Sequence, residues 1–87
     1  MRPSPVLLHD LLDHAAATSA DSVAVVDGDR SCTYAELSAA AEACARRCMA
    51  EGLERGDRVA LFLPKSLEEC WSIFGVARAG GVFVPVN

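Results

Sequence analysis

Four cysteines, two histidines and a single lysine next to a serine are the groups in these 87 residues suited to metal binding, nucleophilic attack or anion binding. Cys44 and Cys48 stand one helical turn apart, so a helix would project both thiols from the same face. A structural zinc site takes four ligands at suitable spacings, and neither His9 nor His14 completes a recognisable pattern with the pair. Cys32 and Cys70 stand alone, and no histidine is placed to serve a cysteine as base. All four thiols read as small apolar packing groups. Lys65 and Ser66, between a strand end and a helix start, are the candidate for an anion. A phosphate cradle also needs backbone N–H groups opened by glycine, and no glycine flanks them, so the pair reads as a plain cap. Gly80 and Gly81 follow a helix, at its negative end, which is the wrong end for phosphate.

The elements that must position these groups are written in the apolar spacing. Leu8, Leu11, Leu12 and Ala15 fall on one face of an amphipathic helix. VAVV at 23–26 is a short apolar strand, and DGDR carries the Asp-Gly signal of a tight turn, so residues 31–33 return as the second arm of a hairpin. Thr33 and Glu36 form the T-x-x-E capping box, in which each side chain satisfies a backbone N–H at a helix start. Along that helix Leu37, Ala41, Cys44, Ala45 and Cys48 trace a small-residue stripe, which permits close approach to a sheet or another helix. Arg46 and Arg47 suit the negative end of its dipole, and Gly52 supplies the left-handed residue that ends it.

Residues 59–63 form an uninterrupted apolar run, the pattern of a strand covered on both faces, and Pro64 stops it. Ser66 and Glu69 repeat the capping pattern and open a helix with Leu67, Cys70, Trp71, Phe74 and Val76 or Ala77 facing inward. Gly80 and Gly81 end it, and residues 82–86 make a second apolar strand. Residues 58–86 therefore read as a strand, helix, strand unit with a right-handed parallel crossover. The fold class is α/β, with alternating helices and strands and a C-terminal parallel βαβ unit.

Composition narrows the function classes. Apolar residues make up 52% and charged residues 23%, so the chain is globular, and 87 residues make one small domain with a modest core. The net charge is −4 with the basic residues scattered, which argues against nucleic acid as a partner. The N-terminus carries leucines and an early arginine, but His9, Asp10, Asp13 and His14 interrupt any signal-peptide core, and no uncharged run is long enough to span a bilayer. Without a signal, the cysteines are expected as thiols in a reducing cytoplasm.

Three segments, VAVVDGDRSCTYAEL, GLERGDRVALFLPKS and ARAGGVFVPVN, follow in order and span nearly the whole chain. Their Thr-Tyr-x-Glu-Leu, Gly-Asp-x-Val and Ala-Gly-x-x-x-x-Pro patterns resemble the N-terminal part of the AMP-forming adenylating enzymes, the superfamily of acyl-CoA synthetases and nonribosomal peptide synthetase adenylation domains. Thr33, Tyr34, Glu36 and Leu37 match the first signature, Gly56, Asp57 and Val59 the second, and Ala79, Gly80 and Pro85 the third. The ending VPVN looks closer to the acyl-CoA synthetases. The resemblance implies that residues 1–87 are an incomplete, N-terminal piece of the large subdomain.

For a complete enzyme the resemblance further implies ATP, magnesium and coenzyme A, or a carrier-protein phosphopantetheine, in adenylating a carboxylic acid and passing it to a thiol. The family's phosphate loop, AMP-holding residues, hinge and catalytic lysine have no counterpart here. The matched residues are thus expected to be architectural, with no catalytic, cofactor-binding or metal-binding residue carried over, and the chain alone is expected to be inactive. The implied partners are the remainder of the enzyme or a complementing chain, and self-association is the expectation for the piece alone. Two other readings are a free-standing noncatalytic α/β module that docks on a partner protein, and a small anion-binding domain built on Lys65.

Overall fold

Helix and strand alternate along the computed structural model, which describes residues 8–62 and 66–86. Helix α1 (Leu8–Thr18) leads into strands β1 (Val23–Asp27) and β2 (Arg30–Thr33), then helix α2 (Tyr34–Ala50), strand β3 (Arg58–Leu61), helix α3 (Leu67–Arg78) and strand β4 (Val82–Pro85). β1 and β2 form an antiparallel hairpin with a register shift between Val23 and Val25, and β3 and β4 pair in parallel with α3 between them in sequence. The α/β class and the C-terminal parallel unit follow the sequence pattern.

The hairpin turn lies one residue later than the Asp-Gly signal suggests. Asp27 pairs with Arg30, so the central residues are Gly28 and Asp29. Gly28 has φ +63° and Asp29 does not share the positive φ, the arrangement of a type II′ turn with glycine first. Asp27 is thereby released from the turn for a contact elsewhere.

The core forms where α1, the hairpin and α3 meet α2. Leu12, Cys32, Leu37, Ala41 and Leu67 are buried together, with Tyr34, Cys70, Trp71 and Phe74 packed against them. Val76, at 1% exposure, fills the inward position on α3 that the sequence left open between Val76 and Ala77. Leu11, read as an inward residue of α1, is instead 59% exposed, because α1 presents a narrow stripe around Leu12 to the core. The side chain of Leu8 lies outside the described residues.

The parallel pair is covered on one side only. Val59, Leu61 and Phe83 are partly or fully buried, whereas Ala60, Phe62, Val82 and Val84 are exposed. Adjacent side chains of a strand point to opposite faces, so the continuous apolar run has one covered face and one open one, in place of the two covered faces its pattern suggests. The ladder ends at Leu61 and Pro85, and Leu63, Pro64 and Lys65 lie outside the described residues.

Helices α2 and α3 approach each other closely at Gly75. A Cβ on Gly75 would come within 2.5 Å of Cys44 Cβ, 2.7 Å of Cys44 Sγ and 2.9 Å of the Ala41 carbonyl oxygen. The small-residue stripe of α2 thus meets a glycine of α3, backbone nearly on backbone. Replacing Gly75 with alanine gains about 1 kcal/mol of helix propensity but forces the helices apart, at an overpacking cost of about 1–3 kcal/mol or more. We expect a net loss of about 1–2 kcal/mol, read as a lower urea midpoint at unchanged slope. A raised midpoint would contradict the contact.

Candidate functional site

The signature residues gather at two junctions, and a third junction involves residues outside the signatures. At the first, Thr33 caps α2. Its Oγ1 accepts the Glu36 N–H at 3.2 Å while Glu36 Oε1 accepts the Thr33 N–H at 2.9 Å, completing the capping box. Tyr34 N–H donates to the Ser22 carbonyl and Ala35 N–H to the Ala20 carbonyl, each at 3.0 Å. The amide donors that a helix N-terminus ordinarily leaves open are therefore taken by this chain. Leu37 points into the core from the same turn.

The second junction joins the entry to β3 with the exit from α3. Gly56, at φ +87°, lets residues 54–57 turn so that Asp57 N–H reaches the Glu54 carbonyl at 3.0 Å and Asp57 Oδ2 accepts the Glu54 N–H at 2.8 Å. Gly56 N–H donates to the Gly80 carbonyl at 2.8 Å, and Val82 N–H to the Asp57 carbonyl at 2.7 Å. Ala79 is the C-cap of α3. Beyond it, Gly80 N–H reaches the Ala77 carbonyl and Gly81 N–H the Val76 carbonyl, the paired bonds of a Schellman end. α2 ends the same way, with Gly52 and Leu53 donating to Met49 and Cys48. Val59 pairs with Phe83, and Pro85, which lacks an N–H, sits at the end of the ladder opposite Leu61. The structure thus brings Gly56, Asp57, Ala79 and Gly80 together, with Val59 and Pro85 along the strands they launch.

The third junction caps α3. Ser66 Oγ accepts the Glu69 N–H at 3.2 Å, as the spacing suggests. The Leu67 N–H donates to Asp27 Oδ2 at 3.3 Å, a partner 40 residues away. Arg30 bridges this carboxylate to the helix, with Nη2 2.6 Å from Asp27 Oδ2 and both guanidinium termini 2.9 Å from the Glu68 carboxylate. The Arg30 hydrogen bond, helped by the Leu67 amide, holds the Asp27 carboxyl below its ordinary range, and Arg30 does the same for Glu68. The two carboxylates in turn push the Arg30 guanidinium upward. Sequence reading missed Asp27 and Arg30, since a DGDR turn carries no local sign of which helix its carboxylate will cap.

The remaining candidates are dispersed. His9 Nε2 lies 3.6 Å from Asp10 Oδ1, and His14 is exposed. Cys32 is buried, and the other three thiols are half-buried, with burial raising Cys32, Cys44 and Cys70 above the ordinary thiol value. Among the described residues, no three histidine, cysteine or carboxylate side chains converge as a metal site. An open cleft of about 560 Å³ between α2 and the start of β3 is lined in part by Cys44, Arg47, Cys48, Leu53, Arg58 and Val59. No helix among the described residues is long and apolar enough to cross a membrane.

Comparison with known proteins places this geometry. Residues 12–87 match the family model described as AMP-binding enzyme. The chain is 35% identical over 85 residues to malpinin synthetase of Mortierella alpina, covering 98% of this chain and 1% of that protein. It is 47% identical over 55 residues to the long-chain-fatty-acid–CoA ligase FadD13 of Mycobacterium tuberculosis, covering 63% of this chain and 11% of the ligase. The crystal structure of VinN superposes with a TM-score of 0.93 at 32% identity, covering 98% of this chain and 23% of VinN. The chain therefore spans a small part of each protein it resembles.

The Asp27–Arg30–Glu68 cluster has a pH signature. Both carboxyl pKa values are depressed by folding, so their stabilising contribution is complete above the ordinary values of 3.8 and 4.5 and is lost as pH falls through the depressed ones. The wild-type chain should lose thermal stability more steeply than Arg30→Met between about pH 5 and pH 2, with the two converging at the acid end. Parallel curves across that range would show that the cluster contributes nothing.

Proposed function

The chain belongs to the AMP-binding enzyme family, and from that premise we propose that it forms the N-terminal part of an acyl-CoA synthetase-like ligase of the cytoplasm. The complete enzyme activates a carboxylic acid with ATP and magnesium as an acyl-adenylate, then transfers the acyl group to coenzyme A or a carrier-protein phosphopantetheine. The 47% identity to a fatty-acid–CoA ligase over 55 residues supports the acid–thiol ligase reading. The relatives lend no support to a free-standing docking module.

Within that enzyme, residues 1–87 serve as scaffold, and Thr33, Tyr34, Glu36, Leu37, Gly56, Asp57, Val59, Ala79, Gly80 and Pro85 are framework positions. The observation that carries this reading is the occupancy of the helix N-termini. The first amides of α2 go to Ala20, Ser22 and Thr33, and at α3 the Leu67 and Glu69 amides go to Asp27 and Ser66. A phosphate approaching α3 would also meet the Asp27 carboxylate, a like charge already seated on the helix dipole. That weighs against an anion site built on the neighbouring Lys65, which itself lies outside the described residues. The open face of β3 and β4 is the surface that the remainder of the enzyme covers.

Two measurements test this. The purified 87-residue chain should give no carboxylate-dependent ATP/pyrophosphate exchange and no saturable ATP binding; exchange above a protein-free blank would overturn the scaffold reading. Separately, the exposed Phe62, Val82 and Val84 should drive self-association of the isolated chain. Sedimentation should show oligomers that Phe62→Ser with Val84→Thr shifts toward monomer. A strictly monomeric wild type with a sharp cooperative melt would favour an autonomous module instead.

A further inference from the structure

We draw no further inference here: the strongest candidate, the open cleft of about 510 Å³ lined by His9, Arg55 and Arg78 at the C-terminal end of α3, carries nothing because Arg78 is committed to Asp13 at 2.6 Å, basic side chains at that end answer the helix dipole, and nothing in the structure shows what fills it.

Discussion

The approach of α3 to α2 at Gly75 is the constraint on which the other contacts depend. With Cys44 and the Ala41 carbonyl occupying the space a methyl would need, the two helices are held so close that Leu37, Ala41 and Leu67 share one buried cluster. A wider crossing would separate α3 from the hairpin, and the Asp27 cap on Leu67 together with the Arg30 bridge to Glu68 would lose their reach. Interiors pack at near-crystalline density, so one forbidden methyl is transmitted to neighbouring contacts.

Glycine acts differently at the second junction. Gly52 and Gly80 each take a positive φ just past a helix end, and the chain leaving one helix meets the chain leaving the other. Leu53 and Val76 both lie 3.1 Å from where a Cβ on Gly81 would sit, and the Asp57 carbonyl lies 3.2 Å away. Backbone hydrogen bonds between 56 and 80 and between 57 and 82 then set the register from which β3 and β4 run in parallel. The Gly-Asp-x-Val and Ala-Gly segments are thus two halves of one joint.

Charge is placed by the same logic. Asp27 and Glu68 sit at the positive N-terminus of α3, while Arg78 in its last turn pairs with Asp13 of α1 at 2.6 Å. These are surface pairs of small individual worth, yet each ties a different element to α3. The open sheet face has no such partner among the described residues, and its apolar side chains remain exposed.

What the sequence by itself determined is local. The Thr33–Glu36 box, the Ser66 cap, the glycine endings of α2 and α3 and the order of elements all rest on hydrogen bonds and φ preferences within a few residues, so the spacing of residue types specifies them. The three signature segments were legible for the same reason. The tertiary structure decided what lies across the chain: that Gly75 meets Cys44, that Asp27 leaves its own turn to cap a helix 40 residues on, that Leu11 faces solvent, and that one face of an apolar strand stays open. An apolar run states that a strand can be buried on both sides, and a small residue states that something can come close. Neither names its neighbour, because that choice belongs to the packing of whole elements against one another.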